Sequence, residues 1–407
     1  MKLITQYSNL RRENYILAFG RLVTGLGSMA WPMLTLILSQ KMHVDAQRIS
    51  WLFSAAMILM APAVYAGGKL ADRFNKKDLI IVLDIFSVIC YLVCAFTPLS
   101  WRTIILMFLG SVGQNMENPA YNALTADITS TADRDKSYSL QYLCANLGLV
   151  LAPTVAGLLF NNYLWLIFLI NAVSIFSSAV LILFKVKDIS PVVEKVRLAS
   201  YQEERPGESM LQILKESKTV LLFIAFCCAY YAVYQMYVYL MPLDLAELHG
   251  DKGAIIYGSV TSINCIVVVL FTPVITRLSD GRPETDRMLT GYSLLLMGFG
   301  IFLAFKGHVP VYYMAMAILT IGEVFAMTAD SPYLSRRIPS SHRGRINGVY
   351  TLMRTLITSS FQLLTGAVYA AAGSLAAWIT VLGVGILFLI IGFSARSADR
   401  RRYPDLY

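Results

Sequence analysis

The chain has 407 residues, of which 57% are apolar or aromatic and only 14% are charged. Soluble proteins carry about 25% charged residues, and the mean hydropathy here is +0.59. This composition excludes a soluble enzyme and a disordered chain. The formal net charge of +9 is explained by basic loops beside a membrane, so no nucleic-acid partner is predicted.

Apolar segments follow one another along the whole chain, each about as long as a bilayer crossing requires. They predict an all-α membrane protein with twelve transmembrane helices. The predicted helices are 15–38, 50–68, 78–97, 102–126, 138–160, 164–184, 219–243, 254–276, 289–305, 311–335, 346–370 and 375–395.

Cysteine and histidine patterns argue against metal sites and enzymes. The six cysteines lie within apolar segments, and the four histidines lie in separate loops. Neither has the spacing of a disulfide framework or a zinc site, so no metal and no cofactor is predicted. The scattered histidines also provide no nucleophile–base or histidine–acid cluster of a membrane enzyme. A primary pump is disfavoured because Gly67-Gly68-Lys69 lacks the spaced glycine of a phosphate-binding loop.

Lysine and arginine are unevenly distributed between the connections. Of the 34 basic residues, 27 fall in the two tails and the even-numbered connections, and five in the odd-numbered ones. Basic loops stay in the cytoplasm, so both termini are predicted to be cytoplasmic. Four of the five tryptophans lie where a predicted helix begins at its outer end, and Trp31 lies in the outer half of the first helix, which agrees with this topology.

The chain also divides into two similar halves. Leu70-Ala71-Asp72 corresponds to Leu278-Ser279-Asp280 at an offset of 208 residues, and the polar segment between the halves contains prolines and a glycine. This predicts a six-helix bundle over 1–184, a cytoplasmic linker over 185–218 and a second six-helix bundle over 219–407. Such parallel repeats are typical of secondary transporters, whose substrate sites lie at the repeat interface.

One loop carries the most specific motif. Residues 68–77 read GKLADRFNKK, which closely resembles the G-x-L-A-D-R-x-G-R-K loop of the major facilitator superfamily. The resemblance implies the two-bundle fold of that superfamily and a cluster that closes the cytoplasmic gate. That cluster would comprise Gly68, Asp72, Arg73, Lys76 and Asp127. The alternative interpretation is a solvated basic loop that only sets topology.

Two further segments resemble bacterial drug:proton antiporters. Residues 148–157 read GLVLAPTVAG, similar to the antiporter motif G-x-x-x-G-P-x-x-G-G, with Gly148, Pro153 and Gly157 at matching positions. Gly322-Glu323 on the tenth helix resembles the same branch. The basic residue that many proton antiporters carry on the fourth helix is absent, because Leu109 holds its place.

Four of the charged residues within predicted helices are candidates for a function, because a charge is costly there. Counted at 1.5 Å per residue, Arg21 and Glu117 lie about 8–9 Å from the inner face, and Glu323 and Arg354 about 12 Å from it. Matched depths predict the pairs Arg21–Glu117 and Glu323–Arg354. We expect Glu323 to carry a coupled proton; the alternative is that both pairs are static packing elements. Asp84, on the third helix, is interpreted as structural.

Polar and aromatic residues on three helices are candidates for the substrate cavity. A tyrosine stripe can bind lipophilic or cationic compounds through ring faces, or it can be ordinary packing. The candidates are Gln114, Asn115, Asn118, Asn146, Tyr230, Tyr234 and Tyr237.

The sequence thus favours a secondary active transporter that exports lipophilic or cationic small molecules in exchange for protons. The alternatives within the same superfamily are a lipid or lysolipid flippase and a proton-coupled nutrient importer. The expected location is the plasma membrane, as in a bacterial inner membrane, with substrate, protons and the lipid bilayer as partners. A monomer is expected.

Overall fold

The computed structural model describes Tyr7 and residues 10–130, 133–187, 217–279, 281–338 and 343–407. These described residues form helices and no strand, which agrees with the predicted all-α class. The helices are α1 (Arg12–Gly27), α2 (Leu34–Leu36, followed by a π-helical turn Ile37–Lys41), α3 (Ala46–Arg73), α4 (Lys76–Phe96), α5 (Trp101–Asp127), α6 (Arg134–Leu149), α7 (Ala152–Leu159), α8 (Leu164–Lys185), α9 (Lys218–Tyr234), α10 (Met236–His249), α11 (Gly253–Leu278), α12 (Glu284–Ala304), α13 (Val309–Arg337) and α14 (Arg343–Arg402).

Helix breaks occur where the apolar pattern alone is continuous. α6 ends at Leu149 because Pro153, in the first turn of α7, lacks the N–H that a continuous helix would need. A second break separates α9 from α10 at Gln235. Within α14 the backbone leaves the helical region at Gly373, whose φ of 77° favours glycine. Interrupted helices are common in transporters, where they line the binding site.

The chain forms two compact units. One comprises Met1–His43, Leu59–Lys195 and Leu245–Val269, and the other comprises Val44–Ile58, Val196–Asp244 and Leu270–Tyr407. The division at 1–184, 185–218 and 219–407 rests on the sequence repeat and stays a prediction. Most of its linker, residues 188–216, lies outside the described residues.

In the first unit, helices approach one another closely through glycines. A Cβ at Gly148 on α6 would lie 2.3 Å from the carbonyl oxygen of Leu22, and one at Gly67 on α3 would lie 2.2 Å from that of Met116. Small residues at such crossings are the usual means of packing helices in lipid, where no hydrophobic effect drives association. The core beside them includes the fully buried Ala120.

The second unit uses the same device together with aromatic packing. Gly291 on α12 and Gly322 on α13 face each other, and a Cβ on either would lie 2.5 Å from the other's carbonyl oxygen. Near the other end of α12, the rings of Phe299 and Phe302 each lie 5.1 Å from the buried ring of Trp378. These contacts fix α12 between α13 and α14.

By length and composition, eight helical runs in the described part of the chain can cross a membrane. Two of them, Lys218–Leu278 and Gly348–Arg402, contain 61 and 55 residues. A single crossing requires about 20 residues, so each of these runs is long enough for two.

Candidate functional site

The first unit contains a buried network around Arg21. The Nη1 atom of this guanidinium donates to Glu117 Oε1 at 3.1 Å, and Nη2 donates to Asn118 Oδ1 at 2.9 Å. Its carbon atom lies 3.7 Å from the ring centroid of Tyr121. The side chain of Glu117 is 5% exposed and that of Arg21 19% exposed. The structure therefore brings Arg21 and Glu117 together as the depth argument predicted.

Asp84 on α4 joins this network, although the sequence favoured a purely structural role for it. Its carboxyl is 4% exposed and lies within hydrogen-bonding reach of Glu117 and electrostatic range of Arg21. Two acids thus meet one arginine at this point. The helix supplying Tyr121 is held in register by the hydrogen bond of 2.6 Å from the Tyr121 hydroxyl to the Leu17 carbonyl oxygen.

The second unit contains a different network, centred on Asp330 of α13. Tyr350 donates a hydrogen bond of 2.7 Å to Asp330 Oδ2, and Tyr231 donates one of 3.3 Å to the same atom. The guanidinium carbon of Arg354 lies 4.5 Å from the ring centroid of Tyr231 and 5.7 Å from that of Tyr350. Asp330 is 8% exposed and within electrostatic range of Arg354. The sequence reasoning had not identified Asp330.

Glu323 lies two turns before Asp330 on α13, and it is 7% exposed. The predicted pair Glu323–Arg354 is not among the ion pairs of the described residues. Glu323 is instead within electrostatic range of Tyr234. The physical reason is the direction of helical side chains, which tilt toward the N-terminus of their own helix. By this rule the side chain of Arg354 is expected to point toward the start of α14 and that of Glu323 toward the start of α13.

The predicted gate loop contains an ion pair. Lys76 Nζ lies 2.9 Å from Asp127 Oδ2, and both side chains are about one-third exposed. The turn before it is fixed by Asn75, whose side chain accepts hydrogen bonds from two backbone N–H groups at the start of α4. Arg73 is exposed in the last turn of α3. The side chain of Asp72 lies outside the described residues.

The glycines beside this loop differ in their surroundings. A Cβ at the predicted Gly68 would meet only the Pro119 side chain, at the ordinary distance of 3.9 Å. The preceding Gly67 is the position where a side chain cannot fit, as described above for its contact with Met116. The tightest packing therefore falls one residue before the first glycine of the motif.

The antiporter-like segment forms a close helix crossing in the first unit. A Cβ at Gly157 on α7 would lie 2.6 Å from the carbonyl oxygen of Ala254 on α11, and one at Gly258 would lie 2.1 Å from that of Pro153. Thr154 Oγ1 also lies 2.8 Å from the hydroxyl oxygen of Ser262. Gly148 of α6 likewise packs against α1. Gly148, Pro153 and Gly157 therefore all lie at close helix contacts in this structure.

The predicted cavity residues on α5 and α6 are partly buried. Asn118 accepts from Arg21, whereas Asn115 and Asn146 each donate a hydrogen bond of 2.9 Å to a carbonyl oxygen of their own helix. Gln114 is partly exposed. Only Asn118 is therefore joined to a charged network in this structure.

The tyrosine stripe is divided between two helices. Tyr230 and Tyr234 on α9 are buried with nearly parallel rings 6.2 Å apart, and Tyr237 lies on α10, beyond the break at Gln235. The Tyr234 and Tyr237 rings are 5.0 Å apart and nearly edge-to-face. Tyr230 also packs against Tyr292 at 5.6 Å. Tyr230 and Tyr234 therefore pack in the interior, whereas Tyr237 is partly exposed.

Two buried charge clusters escaped the sequence reasoning because their members lie outside the predicted transmembrane helices. Arg337 forms ion pairs of 3.1 Å with Glu284 and 2.7 Å with Asp399, and all three side chains are at most 1% exposed. In another cluster the fully buried Asp244 forms an ion pair of 3.1 Å with Lys306. Glu284 lies 208 residues after Lys76, which is the offset of the predicted sequence repeat. Comparison of the two halves could therefore have indicated the first cluster.

Apolar helices that bury carboxylates against arginines, with breaks and glycine crossings between them, are typical of polytopic membrane transport proteins. The family model of the Major Facilitator Superfamily matches residues 17–362, and the chain belongs to that family. Membership makes the protein a transporter and agrees with the resemblance of the loop at 68–77.

Several bacterial members are similar over most of their length. The chain is 24% identical over 371 residues to the class C tetracycline resistance protein of Escherichia coli, covering 86% of this chain and 87% of that one. It is 25% identical over 330 residues to multidrug resistance protein 2 of Bacillus subtilis, with 78% of each covered. A Na(+), Li(+), K(+)/H(+) antiporter of Planococcus maritimus is 23% identical over 334 residues, with 76% and 77% covered.

Solved structures share the fold. A crystal structure of a POT family transporter in complex with a thioalcohol-conjugated peptide has a TM-score of 0.79. The match covers 95% of this chain and 96% of that one at 14% identity. An identity this low extends to the fold and not to the substrate.

Proposed function

We propose that the protein is a proton-coupled exporter of lipophilic or cationic small molecules that works by alternating access. One observation carries the proposal: each compact unit buries carboxyl groups against an arginine inside apolar helices. Buried charges of this kind are costly in a membrane and mark proton or substrate pathways. The similarity to tetracycline and multidrug resistance proteins and to a cation/proton antiporter supports the same direction and coupling.

The coupling would use Glu323, with Glu117, Arg354 and Arg21 in supporting roles. A protonated Glu323 is neutral, and its proton would leave when a substrate cation approaches the tyrosines within its electrostatic range, of which Tyr234 is one. Cations bind to tyrosine ring faces by electrostatic attraction, so proton and substrate would compete for one region. Gln114, Asn115 and Asn146 would offer hydrogen bonds to a substrate with a polar head.

The architecture that we propose has twelve transmembrane helices in two six-helix halves, a cytoplasmic linker over 185–218 and cytoplasmic termini. The eight runs long enough to cross a membrane support this number, because two of them can cross twice and because α1 and α5 add two further helices. The proposed location is the bacterial inner membrane, and the proposed form is a monomer. Gly68, Asp72, Arg73, Lys76 and Asp127 would close the cytoplasmic gate.

Transport by inside-out membrane vesicles tests this function. With the lumen acidified, we expect a fluorescent lipophilic cation to accumulate in the lumen and the accumulation to collapse when the pH gradient is removed. Glu323→Gln should abolish this gradient-driven accumulation, because the amide cannot release a proton, while dye binding to purified protein persists. The matched control is Asp45→Asn, since Asp45 is an exposed acid with a side chain that is 54% exposed.

The same vesicles separate the alternatives. Gradient-driven movement of a labelled lysolipid without dye transport would indicate a flippase. Gradient-driven uptake of a labelled peptide by right-side-out vesicles would indicate a nutrient importer, a possibility to which the POT family neighbours give weight. Full dye accumulation by Glu323→Gln would show that Glu323 is not the proton carrier and would make Glu117 the next candidate.

A further inference from the structure

We propose that Asp84 and Glu117 form a carboxyl dyad that holds one exchangeable proton. The dyad would be a protonation site separate from Glu323, located on α4 and α5 of the first compact unit. Its part in transport rests on the proposed proton coupling, whereas the existence of the site does not.

The geometry of Glu117 leads to this inference. One oxygen, Oε1, accepts the hydrogen bond from Arg21, but the other oxygen, Oε2, is buried without a hydrogen-bond donor. The neighbour within hydrogen-bonding reach is Asp84, which is itself an acid. Two ionised carboxylates have only acceptors to offer, so they cannot form a hydrogen bond with each other. A single proton on either acid supplies the missing donor and satisfies both groups.

The charge balance leads to the same result. Among the described residues, the charged side chains near Asp84 are Glu117 and Arg21. Tyr121 is within electrostatic range of all three. One arginine neutralises one carboxylate. With both acids ionised, a buried negative charge would remain uncompensated, which is strongly unfavourable. With one shared proton, the dyad carries a single negative charge and forms a neutral cluster with Arg21, as in carboxylate pairs that share a proton.

The surroundings let the proton exchange instead of being locked in place. Arg21 is the exposed member of the cluster, with 19% of its side chain accessible, and Asn118 binds it from α5. A proton leaving the dyad would pass to water at this side and change the dyad from one negative charge to two. A substrate cation bound there would restore neutrality, so release of the proton and binding of the cation would be linked.

Infrared difference spectroscopy of the purified protein in lipid tests the site without measuring transport. A protonated carboxyl group has its own carbonyl stretch band, distinct from the bands of a carboxylate. We expect such a band in the wild type, with part of it shifted by isotope-labelled aspartate, and we expect part of it to be lost as the pH is raised. Asp84→Asn and Glu117→Gln should each remove the same component of the band, whereas the exposed-acid control Asp45→Asn should leave the band unchanged.

The outcomes are distinct from those of the flux assay. Absence of a protonated carboxyl band sensitive to either substitution would overturn the dyad, and so would a band that stays constant over the whole pH range, since that describes a static pair. The two substitutions test the same component of the band independently, so the test stands if one variant fails to fold. A titrating band in a protein whose transport ignores the pH gradient would support the dyad and refute the proposed coupling.

Discussion

Each compact unit has an ion pair at a helix connection, and the two pairs lie at the spacing of the predicted sequence repeat but differ in the order of their charges and in burial. Glu284 lies 208 residues after Lys76, and Arg336 lies 209 residues after Asp127. Acid and base have therefore exchanged positions between the pair Lys76–Asp127 and the pair Glu284–Arg336. The first pair is 29% and 35% exposed, whereas Glu284 is fully buried and also binds Arg337.

The difference teaches which connection can open at low cost. Exposed ion pairs contribute about 0.2–1 kcal/mol, because water and salt screen them. Removing one partner of a buried pair costs about 3–5 kcal/mol, because the other charge stays desolvated. The Lys76–Asp127 pair therefore suits a latch that breaks and re-forms. The cluster of Glu284, Arg337 and Asp399 suits a permanent fastening of α12, α13 and α14.

The largest expected effect follows from removing the buried arginine. Arg337→Ala leaves Glu284 and Asp399 buried without their shared cation, so the free energy of unfolding should fall by about 3–5 kcal/mol. Denaturant unfolding of the purified protein in mild detergent measures this loss.

The neighbouring arginine provides a matched control. Arg336 contacts the same Glu284 at 2.7 Å, but its side chain is 57% exposed. Arg336→Ala should therefore lower the free energy of unfolding by about 1 kcal/mol or less. Equal losses in the two variants would contradict the distinction between a buried and an exposed pair.

A smaller effect is expected at Tyr407, which joins the same cluster. Its hydroxyl donates to Asp399 Oδ2 at 2.9 Å and lies 2.6 Å from the Thr285 hydroxyl oxygen. Tyr407→Phe removes both contacts and should lower the free energy of unfolding by about 1–2 kcal/mol at neutral pH.

The pH dependence of this difference has a defined sign. Burial raises the pKa of Tyr407 above its usual value. Folding then favours the protonated phenol, so its contribution is fully present below about pH 10, the unfolded pKa, and declines above it. The stability difference between wild type and Tyr407→Phe should therefore shrink at alkaline pH, and a difference that grows there would contradict the assignment.

Sequence reasoning located one charge network and misplaced the partner in the other. Depth counting brought Arg21 and Glu117 together because the predicted helix 102–126 closely matches α5. Counting along a helix gives the height of a backbone atom, but the direction of a long side chain decides which neighbour it reaches. For this reason Arg354 was assigned to Glu323, while its observed surroundings are Tyr231, Tyr350 and Asp330.

Helix existence was easier to predict than helix continuity. The break at Gly373 falls between the predicted segments 346–370 and 375–395, because a small-residue stretch separates their apolar runs. The breaks at 150–151 and at Gln235 lie inside continuous apolar runs, so composition could not indicate them. Pro153 was the signal for the first, and we find no comparable signal at Gln235.

The smallest effect on stability is expected at the exposed pair, and its charges can be exchanged to imitate the other unit. Lys76→Asp alone places two acids together and should lower the free energy of unfolding by about 1 kcal/mol or less. Adding Asp127→Lys should return it to within about 0.5 kcal/mol of the wild type, because an exposed pair depends on opposite signs and not on a particular order. If the pair acts as a latch, dye transport should be lost in the single variant and regained in the double variant. An exchange of Glu284 with its buried partner Arg337 should not rescue, since Arg337 also pairs with Asp399 and packs its guanidinium 3.9 Å from the Tyr333 ring centroid. Rescue at both places, or at neither, would mean that burial does not distinguish the two connections.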